Sequence, residues 1–372
     1  MPIPPSLYDA PGPFVTVYLD ASRSTESGAT EVELRWRDTR VELERDGASA
    51  ADLNALEAAV QQDRSTPGRH GLVLVATDGS AVFVADLPRP PVRPGARVAP
   101  LPHLMPYLAA TTQQVRHVLV VADRTGADIG VERSGVVVSH ESVDGRQTYP
   151  VHRTATSDWS EWHFQNRVEN TWRANARDVA AEVAKHVAST GARLVVLAGD
   201  SRARSLIRDA LAGEVPPSIV IEDVEAGGRA EGSSERALAD AARDAVLHQV
   251  WRERRELLEH LQQNLGRDEY ATAGVANVVD ALRQGQADTV VVSDDPSSTL
   301  EAWIGRQSIE FGLEVDDLSA MGVSEPAKDR FDAALVRAAV GTGARVVLTP
   351  NAHNYLPEGI GALLRYDTNR GQ

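Results

Sequence analysis

The stretch NLGRDEYATAGVANVVDALRQGQADTVVVSDD, residues 264–295, decides the fold of this chain. A glycine-containing turn leads into a helical pattern, which is predicted to stop at Gly285 because glycine readily ends a helix. Asp288 and Thr289 then enter a continuous valine run, Val290–Val292, of the kind found in strands buried on both faces. The stretch therefore predicts a turn, a helix and a buried strand in succession.

The same alternation extends over most of the chain. Segments rich in Ala, Arg, Glu and Leu predict helices at 49–62, 173–187, 235–261 and 275–284. Short apolar runs bounded by turn residues predict strand segments at 14–20, 71–87, 116–132, 193–200, 218–224, 288–295 and 345–350. Helices and strands that alternate in this way are typical of an α/β chain.

Length and two interruptions of the pattern predict the domain boundaries. At 372 residues the chain suits two or three domains, because single cores stop growing at roughly 250–300 residues. The proline-rich segment 86–106 is predicted not to continue a sheet, but to wrap a surface and close a first domain near residue 113. A second boundary is predicted near residue 257, towards the end of the long helix at 235–261 and before a fresh helix-strand unit, so that the domains are 1–113, 114–256 and 257–372.

Composition excludes several classes of function. The 53 acidic residues outnumber the 38 basic ones and give a net charge of −15, which is the wrong sign for coating nucleic acid by bulk electrostatics. Any RNA contact must therefore be local. There is no cysteine, which excludes disulfides and thiolate metal sites. The N-terminal residues lack a signal-peptide pattern, and no apolar run approaches the roughly 20 residues of a membrane span, so we expect a soluble cytoplasmic protein.

Several stretches together resemble the archaeal and eukaryotic class 1 peptide chain release factors. In the C-terminal third, the residues that follow the family's order are Ala281, Leu282, Gly285, Ala287, Asp288 and Thr289. Residues 71–108 resemble the end of the family's N-terminal domain, 118–132 the start of its middle domain, and 332–350 the close of its C-terminal domain. The resemblance covers residues 14–350. It implies a three-domain architecture with open mixed sheets flanked by helices, a mixed α+β N-terminal domain and a C-terminal domain of ribosomal-protein-like αβα fold.

Both active loops of those release factors are replaced in this sequence. Where the family has Gly-Gly-Gln, which positions a water at the peptidyl-tRNA ester, this chain has Ser157, Asp158 and Trp159. The pair Gly227-Gly228 follows a different predicted strand and cannot take that place. The link at 45–52, RDGASAAD, stands where the family has its codon-reading Asn-Ile-Lys-Ser loop. The departures predict neither peptidyl-tRNA hydrolysis nor stop-codon reading.

A release-factor pattern without either loop is similar to the bacterial branch of the superfamily, which includes the Balon-type ribosome hibernation factors. That resemblance implies a stress and dormancy factor that occupies the A site of the 70S ribosome and contacts ribosomal RNA and proteins. The N-terminal domain would face the decoding centre, the middle domain the peptidyl transferase centre, and the C-terminal domain the stalk base. Elongation factor Tu is a further expected partner, whereas no cofactor, membrane or DNA is expected.

The residues that would carry this binding fall in three groups. On the peptidyl transferase side, in a loop predicted at 153–167, they are Arg153, Thr154, Ser157, Asp158, Trp159, Ser160, Trp162, His163, Gln165 and Arg167. Aromatic side chains there can stack on unpaired bases, and arginines can bind phosphates. Phe164 and Trp172 fit the apolar stripe of the following helix, so Trp159, outside that stripe, is the favoured contact.

The other two groups are smaller. Arg45, Gly47 and Ser49 are predicted on the decoding side, although the arginines at 35, 37, 40 and 45 also suit a solvated helix face paired with glutamates. Arg202, Arg204 and Arg208 follow a predicted strand and are candidate phosphate contacts.

Two alternative functions remain open at the level of sequence. One is a ribosome-rescue enzyme, a peptidyl-tRNA hydrolase or tRNA nuclease, in which Gln165 or His163 replaces the missing glutamine. The other is a scaffold that binds proteins only. Asp123, Asp200 and the pair at 294–295 end predicted strands and would suit magnesium, but we expect them in different domains, acting as caps or turn residues. The histidines show no zinc motif, so no metal is predicted.

Overall fold

The computed structural model describes residues 3–23, 28–62, 69–111, 115–123, 125–133, 136–144, 158–226, 235–293, 295, 298–350 and 352–366. For residues 29, 132, 133, 136–140, 144, 158–170, 235 and 353 the description covers the backbone alone. The chain divides into two compact units, one formed by residues 1–112 and 254–372 and the other by residues 113–253. Among the residues described, no helix is both long and apolar enough to cross a bilayer.

The N-terminal part of the first unit is an antiparallel sheet with helices. Its strands are β1 (Phe14–Asp20), β2 (Gly71–Thr77), β3 (Ser80–Leu87) and β4 (Gly95–Ala99), in the order β3-β2-β1-β4, and its helices are α1 (Gly28–Arg45), α2 (Ala50–Gln62) and α3 (Met105–Thr111). Alternate residues of β1 enter two cores: Val15 and Val17 pack with α1 and α2, whereas Phe14 and Tyr18 face the opposite side. Burial on both faces explains the continuous apolar run.

The proline-rich segment contains a strand, so the prediction that it cannot continue a sheet is wrong. The five residues of β4, Gly95–Ala99, pair with β1 at the edge of the sheet. Prolines flank this stretch at Pro94 and Pro100, and none falls within it. An edge strand needs donors on one side only, which is where prolines are tolerated in sheets.

The second unit is a five-stranded mixed sheet with helices on both faces. Its elements are β5 (His117–Ala122), β6 (Gly126–Arg133), β7 (Val136–Asp144), α4 (Asp158–Thr190), β8 (Leu194–Gly199), α5 (Ser201–Leu211), β9 (Val220–Asp223) and the first part of α6 (Glu235–Leu265), in the strand order β7-β6-β5-β8-β9. The strands β5, β8 and β9 run parallel, whereas β6 and β7 are antiparallel additions. One core lies between the sheet and α4 with α5, and a second lies on the side of α6.

The C-terminal part of the first unit contains two further sheets. Its elements are β10 (Ala271–Ala273), α7 (Val275–Arg283), β11 (Ala287–Ser293), β12 (Glu301–Ile304), β13 (Phe311–Gly312), α8 (Val315–Ala320), β14 (Ala327–Arg330), α9 (Phe331–Thr342), β15 (Arg345–Thr349) and β16 (Ile360–Leu364). One sheet has the order β10-β16-β11-β15 and the other β13-β12-β14. Gly285 follows α7 with a φ of 65°, so the helix stops where the sequence predicted.

The two parts of the first unit share a hydrophobic core. Phe14, Tyr18 and Leu104 from the N-terminal part belong to the same buried cluster as Leu335 and Val336 of α9. The Tyr18 hydroxyl donates to the His103 carbonyl at 2.8 Å and accepts from the Tyr107 backbone N–H at 3.1 Å, which fixes the segment between β4 and α3. The mixed α/β class and the open mixed sheets are confirmed. The three-domain division stays a prediction for these N- and C-terminal parts, which here form one unit.

Candidate functional site

The helix α4 begins at Asp158, earlier than the sequence predicted. Residues 158–167 are its first turns, so the prediction of a loop over 153–167 is wrong for those ten positions. The physical reason is that neither glycine nor proline occurs between Asp158 and Thr190, and nothing interrupts the helix. Arg153, Thr154 and Ser157 lie outside the described residues.

The predicted contacts within α4 are therefore held on a helix. The backbones of Asp158, Trp159, Ser160, Trp162, His163, Gln165 and Arg167 follow one another over its first ten residues. Contact of these residues with RNA stays a prediction.

A shallow groove lies between α4 and α5 at the end of the parallel strands. Trp172 and Asn175 of α4 line one side, Arg202 and Leu206 of α5 the other, and Asp123 lies on the turn after β5. Asn175 is buried, whereas Arg202 is exposed. An aromatic ring, an amide and a guanidinium around an apolar floor suit a base or phosphate at this place. The sequence interpretation missed Asn175, although an asparagine within an apolar helical stripe was a usable signal.

The carboxylates at the strand ends act as caps. Asp200 accepts from the backbone N–H groups of Arg202 and Ala203, both at 3.0 Å, and so caps α5. Asp123 accepts from the backbone N–H of Thr125 at 2.7 Å and closes the turn before β6. The cap and turn roles are confirmed, but the expectation that these two residues lie in different domains is wrong. They follow β5 and β8, which are adjacent parallel strands.

The arginines of α5 have different environments. Arg208 forms an ion pair with Asp223, at 2.8 Å between Nη2 and Oδ2, and donates from Nη1 to the Ile221 carbonyl at 3.0 Å. This guanidinium thereby ties α5 to β9. Arg204 is half-buried, which leaves Arg202 as the exposed member of the predicted phosphate group.

The predicted decoding-side residues form the turn between α1 and α2. Gly47 has a φ of 89°, and a side chain built there would meet nothing within 4 Å. The Ser49 hydroxyl accepts from the Asp52 backbone N–H at 3.0 Å, as a helix cap does. Arg45 is exposed at the end of α1. These contacts explain the turn itself, and RNA contact by Arg45, Gly47 and Ser49 stays a prediction.

The arginine-rich face of α1 is internally paired. Arg35 donates to Glu31 at 3.0 Å, and Arg40 contacts both Glu44 and Glu57. The pairs Arg35–Glu31 and Arg40–Glu44 are the helical pairs that the sequence suggested for a solvated face, whereas Glu57 lies on α2. This face of α1 consequently has its positive charge offset by neighbouring glutamates.

Comparison with known proteins gives matches over most of the chain. The sequence profile of the Bacterial archaeo-eukaryotic release factor family 2 matches residues 116–267. The uncharacterized protein Rv2629 of Mycobacterium tuberculosis strain H37Rv is 30% identical over 367 residues, which cover 98% of this chain and 96% of that protein. The corresponding protein of strain CDC 1551, MT2704, has the same identity and coverage.

Solved structures of translation factors are similar over long stretches but with low superposition scores. The archaeal translation termination factor aRF1 shares 15% identity with a TM-score of 0.24, covering 97% of this chain and 95% of that one. Pelota from Archaeoglobus fulgidus shares 15% identity with a TM-score of 0.35, covering 80% and 79%. Ribosome-bound archaeal Pelota shares 15% identity with a TM-score of 0.42, covering 97% and 92%.

Proposed function

This chain belongs to the bacterial archaeo-eukaryotic release factor family, and from that premise we propose that it binds the A site of idle ribosomes without hydrolysing peptidyl-tRNA. Two observations support the proposal. The family is named for translation termination, and this chain lacks the residues that termination requires. It makes the protein a hibernation factor of stressed or dormant cells. Elongation factor Tu is the protein partner that we propose for it.

The helical start of α4 is the main support for the proposal that the protein does not hydrolyse peptidyl-tRNA. Asp158 and Trp159 are helical residues, and they occupy two of the three places that the resemblance assigns to Gly-Gly-Gln. A Gly-Gly-Gln loop needs backbone conformations that glycine permits and a helix does not supply. The side chains at these two places are a carboxylate and an indole, and neither has the carboxamide with which glutamine positions a water.

Local contacts supply the affinity in this proposal. The net charge of −15 disfavours a general attraction to ribosomal RNA, so binding depends on a few aromatic and cationic side chains. Stacking of one base on an aromatic ring contributes about 1–3 kcal/mol, which is independent of bulk charge. The first turns of α4 are proposed to enter the peptidyl transferase centre, with Trp159 as the principal stacking residue. The turn at 45–49 is proposed to face the decoding centre.

Sedimentation with vacant 70S ribosomes tests the binding. The full chain is expected to pellet with 70S particles at physiological magnesium, and Trp159→Ala is expected to weaken binding about 5-fold or more, the loss equivalent to about 1 kcal/mol of stacking. Trp251→Ala is the matched control, because Trp251 is 53% exposed on α6, away from the predicted loop. Absence of the wild-type protein from the ribosome pellet would overturn the proposal. Crosslinking to ribosomal RNA separates it from a scaffold that binds proteins only.

A peptidyl-tRNA release assay tests the enzymatic alternative. Under the main proposal, labelled peptide stays on the ribosome at the uncatalysed rate. Release with turnover that is lost in Gln165→Ala or in His163→Ala would instead identify a rescue enzyme. Both residues lie within α4, without the neighbouring glycines of the known loop, which is why we favour occupation without cleavage.

A further inference from the structure

Two adjacent elements of the second unit bring together three potential metal ligands. Glu182 and His186 are four residues apart on α4, so they lie on the same face of the helix. Glu141 lies on β7, opposite Ile129 of β6 in the register of the sheet. Ile129 is fully buried in the core between the sheet and α4, so Glu141 lies on the side of the sheet that α4 covers.

The ligand atoms are close enough to bind one ion. The His186 Nε2 atom lies 3.0 Å from a Glu141 carboxylate oxygen, and the ligand atoms of all three residues lie within 4.8 Å of one another. A tetrahedral zinc site with bonds of about 2.0–2.2 Å has ligand atoms about 3.4 Å apart. A pair of ligand atoms at the 4.8 Å limit would therefore have to approach by about 1.4 Å, which rotation of the glutamate side chains can provide.

The chemistry of the three donors favours zinc. Imidazole nitrogen is a donor that suits Zn²⁺, carboxylate oxygens also bind this ion, and three protein ligands leave a fourth position for water. The Glu141 side chain is 47% exposed and keeps that fourth position open to solvent, whereas His186 is 15% exposed and held against the protein. Binding requires the neutral imidazole with its proton on Nδ1, so that the Nε2 contact to Glu141 is replaced by two bonds to the ion.

The charge of the cluster also favours a cation. Two carboxylates stand beside one imidazole, and Lys185 contacts one of them, with its Nζ atom 2.6 Å from Glu182. The Lys185 side chain is 71% exposed, so it can turn into solvent when an ion enters, and exposed ion pairs of this kind contribute little. A divalent ion bonded to both carboxylates offsets more charge than the single lysine does.

We propose that Glu141, Glu182 and His186 form a Zn²⁺ site that fastens β7 to α4. Glu182 and His186 lie near the C-terminal end of α4, so the ion would hold that end of the helix against β7. The site does not depend on the proposed ribosomal function. It also escapes a motif search, because its third ligand comes from a distant strand and the helical pair is Glu-x-x-x-His.

Equilibrium dialysis of the metal-free full chain against Zn²⁺ alone tests the site. The wild type is expected to bind one ion per chain, and His186→Gln or Glu141→Gln is expected to raise the dissociation constant at least about 10-fold, since loss of even a supporting contact costs about that much. His248→Gln is the matched control, because His248 forms a His–Glu pair in the same unit, 3.5 Å from Glu222. It should bind zinc as the wild type does. No zinc on the wild type, or a dissociation constant in both ligand variants equal to that of the wild type, would overturn the proposal.

X-ray absorption of the zinc-loaded wild type gives a second readout that does not depend on the folding of any variant. One imidazole and otherwise oxygen ligands are expected at about 2.0–2.2 Å. A spectrum without imidazole scattering, or with two or more imidazoles, would contradict the assignment to these three residues.

Discussion

Asp329 of β14 and Arg97 of β4 form a buried ion pair that joins the N-terminal and C-terminal parts of the first unit. The Asp329 side chain is 1% exposed, and it also accepts from the Leu101 backbone N–H at 2.8 Å. The Asp329 carboxylate, in the C-terminal part of the unit, thus pairs with the Arg97 guanidinium and accepts from the Leu101 N–H, both of which belong to the N-terminal part. Removal of one partner from such a buried pair causes a large loss of folding stability, because the charge of the remaining partner stays buried without compensation.

Asp329→Ala is expected to lower the free energy of unfolding of the first unit by about 3 kcal/mol, at the low end for a broken buried pair because Arg97 is 25% exposed. Urea unfolding followed by circular dichroism measures the change. Asp316→Ala, at an exposed position on α8, serves as control and should change stability by less than about 0.5 kcal/mol. Equal effects of the two substitutions would contradict a structural role for Asp329.

The environment of Asp332 leads us to expect that the stability of the fold decreases at acidic pH. Burial alone would raise the pKa of the Asp332 carboxyl, but hydrogen bonds from His103 at 3.2 Å and Arg330 at 2.7 Å, with their charges, hold that pKa well below its ordinary value. A carboxyl whose folded pKa is lowered stabilises the fold above its unfolded pKa of about 3.9, and that contribution is lost as the pH falls below it. The melting temperature is therefore expected to begin to drop below about pH 5 and to go on dropping as the pH falls towards the lowered pKa.

Asp332→Asn separates this contribution from other acid effects. The variant is expected to melt below the wild type at neutral pH, and the difference should begin to narrow below about pH 5 and continue to narrow towards the lowered pKa, because protonation removes the same charge from the wild type. Thermal melts in a pH series measure both curves. A constant difference across the series would mean that the ionised Asp332 is not the source of the stability.

Gly199 is at a position where the structure leaves no room for even one methyl group. It ends β8 with a φ of 96°, and a Cβ atom built there would lie 2.1 Å from the Ala122 carbonyl oxygen of the neighbouring strand. Gly199→Ala must therefore move the backbone, and we expect a loss of about 3 kcal/mol or more in the second unit. Gly285→Ala is the control, since it shares a positive φ of 65° but has open space around it, and about 1 kcal/mol is expected there. Thermal unfolding compares the two.

Two arginines of α5 are expected to have different roles, Arg208 in the stability of the fold and Arg202 in ribosome binding. Arg208→Ala removes the contacts to Asp223 and the Ile221 carbonyl, so it should cost about 1 kcal/mol of stability and leave ribosome affinity unchanged. Arg202→Ala removes an exposed guanidinium, so we expect weaker ribosome binding with a smaller salt dependence and little change in melting temperature. Sedimentation at two salt concentrations measures binding. The reverse pattern would place the phosphate contact on Arg208.

Elements with a strong local signal could be predicted from the sequence. The strand at 14–20 is β1, the helix at 275–284 is α7 within one residue, and the predicted strand at 345–350 is β15 within one residue. Each of these has a continuous apolar run or an amphipathic period bounded by glycine or proline. Local propensity and tertiary environment agree there, which is the condition under which single-sequence prediction succeeds.

The failures come from interactions that no local pattern records. The edge strand β4 follows from pairing with β1, although prolines surround it in sequence. The adjacency of Asp123 and Asp200 follows from the parallel pairing of β5 with β8 across the whole of α4. The early start of α4 reflects an uninterrupted helical propensity that the resemblance to a loop-bearing family obscured. For the candidate site, the sequence proposes a segment but does not predict its helical conformation.

The shared core of the first unit has a consequence for synthesis of the protein. Residues 1–112 leave the ribosome long before residues 254–372 exist, so the apolar side of β1 that carries Phe14 and Tyr18 is completed only after α9 has been translated. The second unit is continuous in sequence and has its full complement of residues earlier. A message truncated after the second unit would yield a nascent product with an uncovered aromatic surface, a substrate for chaperones and proteases.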